Sequence, residues 1–144
     1  SEEIYAASWG GGVFRFSQAE STALAINAGL EDLYVNVVHA SLSGYLFAGT
    51  RRSGTFRTEL ENPFWQNSGG GTIDRQVIAF RTTQLGEIFA GTGSGIYLST
   101  DAGLHWIKLD GGIGSMEVRA LSVNEKATVF AGTADGVYRS VRND

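Results

Sequence analysis

The sequence predicts an all-β protein that folds as a β-propeller of four-stranded antiparallel blades, with about 3.5 blades in the chain. The segment Phe-Ala-Gly-Thr occurs at 47–50, 89–92 and 130–133, so its copies stand 42 and 41 residues apart. Repeats of this length are typical of propeller blades. Glycine accounts for 20 of the 144 residues and proline for one, which indicates many tight turns between short strands.

Each repeat is predicted to contain four short strands. The Phe-Ala-Gly-Thr segment forms the second strand, and a glycine then opens an alternating third strand, as in Gly95-Ile96-Tyr97-Leu98-Ser99. A short fourth strand is expected near Trp65 or Trp106. The apolar first strands are predicted at Val35–Ala40, Gln76–Arg81 and Val118–Val123.

A degenerate copy of the repeated segment, Tyr5-Ala6-Ala7-Ser8, lies 42 residues before the first intact copy. With this copy included, the chain is expected to hold a partial blade, two complete blades and a second partial blade, with fourteen strands in all. The predicted repeats cover residues 1–33, 34–74, 75–115 and 116–144 of a single domain.

Two local expectations follow from the residue pattern. The first strand of each blade is apolar at consecutive positions, so we expect neighbouring blades to cover both of its faces, with the third strand nearer solvent. The segment 18–27 contains good helix formers and leaves a short helix as an alternative. The repeat alignment instead places a turn and a strand there.

Composition narrows the function classes. With 42% hydrophobic and 18% charged residues the chain is expected to fold as one globular domain, and a pI near 5.1 disfavours nucleic acid as a partner. No apolar run approaches the ~18 residues of a membrane-spanning helix, so we expect no membrane insertion. The absence of cysteine excludes disulfides and thiolate sites and leaves the compartment open.

One turn motif carries a family resemblance. The segment Ser99-Thr100-Asp101-Ala102-Gly103-Leu104-His105-Trp106 resembles the Asp box, Ser-x-Asp-x-Gly-x-x-Trp, of bacterial neuraminidase repeats. The aspartate is expected to accept turn amides, the glycine to adopt a positive φ, and the tryptophan to cover the hairpin against the next blade. The related segment 58–65 keeps only the hydroxyl and the tryptophan.

With its repeat, the chain resembles the Asp-box propellers of sortilin-like receptors, Ycf-type photosystem assembly factors, sialidases and xyloglucan-cleaving glycosidases. The resemblance implies the fold, not a shared activity, because these relatives have unrelated functions. The arginine cluster of sialidases has no counterpart here. Xyloglucan-cleaving relatives use two aspartates between two propellers, whereas Asp74 and Asp135 are expected in solvent-exposed turns.

No catalytic residue, metal site or cofactor is predicted. His39 falls on a first strand and His105 inside the Asp box, and both are interpreted as structural. The two histidines are far apart in the repeat and lack a carboxylate cluster, so they predict no metal ligation. The glycine-rich segment 91–95 precedes a strand, where a phosphate loop would precede a helix.

About 3.4 repeats of 42 residues are too few to close a ring, because propellers usually need about 4–8 blades. Open ends would expose apolar sheet faces, so we expect a homodimer that forms a ring of about 6–8 blades. A tight four-bladed monomer and a piece of a longer propeller are the alternatives.

The loops that join second to third strands and blade to blade are expected on one face, where propellers usually bind ligands. An exposed tryptophan stacks on sugars and arginines hold carboxylates or hydroxyls, so the favoured function is a non-catalytic module that binds a protein or a glycan. A subunit of a carbohydrate-active enzyme, an assembling fragment without a ligand, and solvated loop tips with Trp9 packed on a neighbour are the alternatives. The candidate ligand-binding residues are Trp9, Tyr34, Arg51, Arg52, Asp74 and Arg75.

Overall fold

The computed structural model describes residues 3–17, 19, 21–69 and 73–140, and among these residues it contains strands and turns but no helix. The helical alternative for 18–27 is therefore wrong at 19 and 21–27, while 18 and 20 lie outside the described residues. No described segment forms a helix long and apolar enough to cross a membrane. The strands are β1 (Glu3–Ser8), β2 (Gly12–Ser17), β3 (Leu24–Ala25), β4 (Val35–Ala40), β5 (Tyr45–Thr50), β6 (Thr55–Glu59), β7 (Gln66–Ser68), β8 (Val77–Thr82), β9 (Ile88–Thr92), β10 (Gly95–Ser99), β11 (Ile107–Leu109), β12 (Val118–Val123), β13 (Val129–Thr133) and β14 (Gly136–Arg139).

The strands form four antiparallel sheets, each a simple meander in chain order. We call them the first blade (β1–β3), the second blade (β4–β7), the third blade (β8–β11) and the fourth blade (β12–β14). Two sheets have four strands and two have three among the described residues. This all-β arrangement of a partial blade at each end and two complete blades between them confirms the predicted fold class.

The strand positions agree closely with the repeat. β4 and β12 have the predicted bounds, and β8 begins one residue later than predicted. A register shift occurs at the same place in each of these first strands, between Val35 and Val37, Val77 and Ala79, and Val118 and Ala120. The repeat therefore reproduces a β-bulge as well as the strands.

The threonine that ends each Phe-Ala-Gly-Thr strand closes the following turn. Its hydroxyl donates to a glycine carbonyl, from Thr50 to Gly54 and from Thr92 to Gly95, at 2.9 Å in both turns. Gly54 has φ +76°, and Gly95 has φ +128°. A side chain is disfavoured at such angles, which explains the glycine at the start of each third strand.

Blades stack face to face, and the glycine of the repeated segment makes the stacking close. A Cβ added to Gly49 would lie 2.8 Å from Val77 Cγ1, and one added to Gly91 would lie 2.8 Å from Val118 Cγ1. Each glycine therefore faces the first valine of the next blade at a distance that excludes a side chain. The remaining contacts form one buried apolar cluster per blade interface.

The expected gradient of burial is wrong in one respect. The second strands β5 and β9 are the most buried, with all five residues of β9 buried, whereas β4 and β12 contain several exposed or half-buried residues. β5 and β9 are hydrogen-bonded along both edges and covered by blades on both faces. β4 and β12 each have one unpaired edge among the described residues, and β12 also lies in the last blade of the stack.

Candidate functional site

The structure places the six candidate ligand-binding residues at the same end of the sheets. Trp9 follows β1, and Tyr34 immediately precedes β4. Arg51 and Arg52 form the turn between β5 and β6, while Asp74 and Arg75 lie in the connection to β8. They therefore come from the first three blades, although up to 66 positions separate them in the numbering.

Four of these residues form a cluster in which two aromatic rings touch each other and a guanidinium group lies over each ring. The Cζ of Arg51 lies 4.7 Å from the centre of the Trp9 ring, and the Cζ of Arg52 lies 5.2 Å from the centre of the Tyr34 ring. The two rings meet edge to face, with centroids 5.6 Å apart and planes at 90°. We call these four residues the aromatic–arginine cluster.

Backbone hydrogen bonds hold the loops of this cluster together. Trp9 and Tyr34 form an isolated antiparallel bridge, and the N–H groups of Gly10 and Gly12 both donate to the Leu33 carbonyl at 3.0 Å. The N–H of Arg51 donates to the Tyr34 carbonyl at 2.9 Å. The aromatic rings are thus positioned by the main chain of two adjacent blades.

Asp32 joins two loops of the cluster by hydrogen bonds, and it was not among the predicted site residues. Its side chain is buried, and its two oxygens accept the N–H groups of Tyr34 at 3.0 Å and Arg52 at 2.9 Å. An aspartate whose carboxylate accepts the backbone N–H two residues later forms an Asx turn, a local pattern that a sequence can suggest. The link to Arg52 in the next turn required the fold.

The rings and the charges of the cluster remain open to solvent. Trp9 is 63% exposed and Tyr34 38% exposed, although a guanidinium group covers one face of each ring. Within the described part of the chain, ion pairs involve Arg15, His105 and Arg119, and none involves Arg51, Arg52 or Arg75. The guanidinium groups therefore retain donors for a ligand.

Beside the cluster, a shallow cavity of about 370 Å³ opens between the second blade and its connections to the first and third blades. Arg52 and Arg75 line it from two sides, with Glu31 and Asn67 also at its wall. Asp74 has a different role, because its Oδ1 accepts the N–H of Gln76 at 3.2 Å and so stabilises the turn. Two of the six candidates, Arg52 and Arg75, thus line this concave surface, and the aromatic–arginine cluster adjoins it through Arg52.

The Ser99–Trp106 turn lies at the opposite end of the third blade. Ser99 Oγ accepts the Gly103 N–H at 2.9 Å and donates to Asp101 Oδ1 at 2.9 Å. Gly103 has φ +80°, and Asp101 Oδ1 also accepts the N–H of His105 at 2.9 Å. Burial acts to raise the pKa of Asp101, but the hydrogen bonds from His105 and Ser99 outweigh it and lower the pKa to about 2.

The resemblance implied that Trp106 covers the hairpin against the next blade. In the structure it packs against the preceding blade instead. Its ring meets Phe47 of the second blade edge to face, with centroids 6.5 Å apart. Two hydrogen bonds hold the turn in this direction: Arg57 Nη1 donates to the Ala102 carbonyl at 2.6 Å, and Ser68 Oγ donates to the Gly103 carbonyl. The turn therefore fastens the third blade to the second.

Each of the two histidines forms a hydrogen bond with one nearby side chain. His39 is half-buried, and its Nε2 forms a 2.7 Å hydrogen bond with Thr82 Oγ1 of the third blade. His105 Nδ1 lies 2.6 Å from Asp101 Oδ2 on the surface. Within residues 3–17, 19, 21–69 and 73–140, no group of three or more His, Cys, Asp or Glu side chains is placed to hold a metal ion.

Solved structures of low sequence identity share this arrangement of strands. Against the extracellular domain of BT4673 from B. thetaiotaomicron the TM-score is 0.77 at 16% identity, covering 99% of this chain and 20% of that one. Against an ancestral GH74 enzyme it is 0.80 at 18% identity, covering 96% and 21%. Against the WD40 β-propeller domain of Doa1 it is 0.72 at 10% identity, covering 95% and 45%.

The chain spans about a fifth of the length of the first two structures and less than half of the third. No family model and no curated protein matches the sequence. Identities this low show a common fold, and function does not follow from it. The chain is therefore a partial β-propeller of about 3.5 blades, built of antiparallel sheets that stack as they do in complete propellers.

Proposed function

We propose that this chain is a non-catalytic β-propeller module that binds a protein or a glycan through the loop face carrying Trp9, Tyr34, Arg51, Arg52 and Arg75. The observation that supports this function is the exposure of Trp9 and Tyr34 in a cluster whose backbone is fixed by hydrogen bonds. An aromatic side chain held open to solvent on a rigid frame loses little conformational entropy when a ligand covers it.

The chemistry of the cluster suits polar, planar or ring-shaped ligand groups. An indole face stacks on the apolar face of a sugar or on an aliphatic side chain, and a guanidinium donates paired hydrogen bonds to carboxylates. The cavity beside Arg52 and Arg75 is open and polar enough to receive such a group. Asp74 contributes by keeping the neighbouring turn in place.

The test is binding of the full chain to an array of glycans and to candidate protein extracts, followed by titration of each hit with a Trp9→Ala variant. We expect that variant to bind roughly tenfold more weakly or worse, as for a central aromatic anchor. Phe64→Ala is the matched control, because Phe64 is an aromatic residue 61% exposed at the other end of the second blade. Equal losses in both variants would contradict a site at Trp9.

A subunit of a carbohydrate-active enzyme is the second candidate. The likeness in fold to an ancestral GH74 enzyme favours it, with a TM-score of 0.80 over 96% of this chain. The chain spans 21% of that enzyme, and the candidate site holds no pair of facing carboxylates among the described residues. Release of reducing sugar from a polysaccharide by the purified chain would favour this function over binding alone.

We further propose that the chain belongs to the Asp-box group of propellers, with repeats at 1–33, 34–74, 75–115 and 116–144. The supporting observation is the Ser99–Trp106 turn, in which Ser99, Asp101 and Gly103 are joined by hydrogen bonds and Trp106 packs on the neighbouring blade. Asp101→Ala should lower the free energy of unfolding because the turn loses its hydrogen bonds. Asp135→Ala, in an exposed turn, should not.

We also propose that the ring is completed as a homodimer. Ile4, Ala6 and Phe14 of the first blade match Leu46, Ala48 and Phe56 of the second in repeat position. Leu46 is 1% exposed beneath the first blade, whereas Ile4 is 67% exposed. Uncovered apolar sheet faces of this kind favour association.

Light scattering during gel filtration tests the homodimer at several concentrations. We expect a dimer that resists dilution, and an Ile4→Asp variant that is monomeric because a charge would enter the apolar interface. Leu42→Asp is the control, since Leu42 is exposed on a turn away from that face. A monomer at every concentration would contradict the proposal.

A further inference from the structure

An apolar cavity of about 380 Å³ lies between the third and fourth blades, on the side away from the first strands. The side chains that line it are mostly aliphatic or aromatic, with polar groups at its mouth. Phe89 and Ile96 line it from the third blade, Ile113 from the connection, and Val129, Ala131 and Tyr138 from the fourth blade.

The repeat identifies what fills the same position one interface earlier. Phe89, Val129, Ala131 and Tyr138 are equivalent to Phe47, Ile88, Ala90 and Tyr97, at offsets of 42 or 41 residues. Those four residues form a buried cluster together with Trp106, which is 5% exposed. The cavity is therefore lined like the site that holds the indole of Trp106.

The strand edge beside the cavity is also available. In the third blade, β11 follows Trp106 and pairs with the outer edge of β10, with Ile96 opposite Leu109 and Leu98 opposite Ile107. β14 is the repeat equivalent of β10, and among the described residues it pairs only with β13. Unpaired N–H and C=O groups along such an edge form hydrogen bonds with an added strand.

We propose that this groove binds an extended peptide of a partner polypeptide that carries a tryptophan. The peptide adds to the fourth blade as an antiparallel strand beside β14, and its indole enters the cavity between Phe89 and Tyr138. The interaction uses a different surface from the aromatic–arginine cluster, so it goes beyond the proposed function of the loop face.

The third blade supplies the template for the partner sequence. Residues 99–109 comprise the turn that delivers Trp106 and the strand β11 that follows it. The occupant is therefore defined by its chemistry: a hydroxyl and a carboxylate in a tight turn, a tryptophan next, and then a short alternating strand. A groove that combines an unpaired strand edge with a cavity lined by aromatic residues should bind such a segment more tightly than apolar peptides in general.

Calorimetric titration of the full chain with a synthetic peptide of residues 99–109 tests the proposal. We expect one peptide per chain, and a peptide with Trp106→Ala that binds roughly thirtyfold more weakly or worse, because the aromatic anchor is lost. No binding by the unmodified peptide overturns the proposal. Equal binding by the two peptides also overturns it.

Two variants of the chain locate the peptide. Ala131→Leu fills the cavity from inside and should abolish binding while the variant keeps its circular dichroism spectrum and its cooperative thermal unfolding. Trp9→Ala should leave peptide binding unchanged, which separates this groove from the loop face. Peptide binding that survives Ala131→Leu, or that is lost in Trp9→Ala, overturns the assignment to the cavity.

Discussion

The guanidinium carbon of Arg51 lies 4.7 Å above the ring of Trp9, and the two residues occupy the same position of successive repeats. Both begin the turn that joins a second strand to a third. The next two repeats have Gly93 and Ala134 at this position. Stacking therefore brings adjacent turns into contact, and only the first two blades supply side chains that can interact there.

Removing the Arg51 side chain should change stability little. A cation–π contact at an exposed site contributes about 0.5–1 kcal/mol. We expect Arg51→Ala to lower the free energy of unfolding by no more than this amount, measured by urea denaturation. A loss of about 3 kcal/mol, the size typical of a core substitution, would show that the cluster is part of the core and would weaken the proposed binding site.

Asp32 is expected to be more important for stability than any exposed member of the cluster. Asp32→Ala leaves the N–H groups of Tyr34 and Arg52 without their acceptor, and a buried donor without a partner costs about 1–3 kcal/mol. Chemical denaturation should show a loss in this range. Asp135→Ala is the matched control in an exposed turn, and an equal loss there would contradict the role of Asp32.

Gly49 and Gly132 are equivalent in the repeat but should respond differently to alanine in the isolated monomer. Gly49→Ala places a Cβ 2.7 Å from Val37 Cγ1 and 2.8 Å from Val77 Cγ1, and overpacking of this kind costs about 1–3 kcal/mol. The Cβ of Gly132→Ala would meet only Ala120, at 3.6 Å. In the isolated monomer that substitution should be neutral, or stabilising by about 0.4–1 kcal/mol through the unfolded state, whereas in the proposed homodimer, where a partner covers this face, it should be destabilising.

Thermal unfolding of both glycine variants checks this prediction. A loss of stability in Gly132→Ala similar to that in Gly49→Ala would mean that another blade covers the fourth blade in solution, as the proposed homodimer requires. The same comparison at several protein concentrations therefore bears on the oligomeric state as well as on blade stacking.

His39 should make the stability of the protein depend on pH in the weakly acidic range. Burial, and to a smaller extent the charge of Arg81, lowers the pKa of His39 below its usual 6.5. The unfolded chain then binds the proton more readily, so stability is present above pH 6.5 and is lost as the pH falls towards the lowered pKa.

Denaturation curves at pH values from about 7.5 to about 5 test whether His39 causes this pH dependence, with His39→Gln as the variant. Glutamine keeps a donor for Thr82 and does not titrate, so the pH dependence should flatten in that variant. His105→Gln is the control, because His105 is exposed on the surface. An unchanged slope in His39→Gln would contradict the assignment.

Much of the candidate site could be predicted from the positions of its residues in the repeat. Trp9, Arg51 and Arg52 depart from the repeat in turns that must emerge on one face, which is why the residue pattern pointed to them. The direction of Trp106 and the role of Asp32 could not be predicted from the sequence, because both depend on which face of a blade meets its neighbour. The Asp74 side chain was placed in the correct loop, but its hydrogen bond to Gln76 belongs to the turn rather than to the concave surface.

The sequence by itself determined the strand order, the blade length and the glycine turns of this protein. These features depend on local contacts: a threonine hydroxyl across a turn, a positive φ at a glycine, and side-chain alternation along a strand. Only the tertiary structure decided how blades stack, since the approach of Gly49 to Val77 and of Trp106 to Phe47 joins residues of different repeats. The apolar cavity beside Tyr138 likewise forms only when the faces of two blades are brought together.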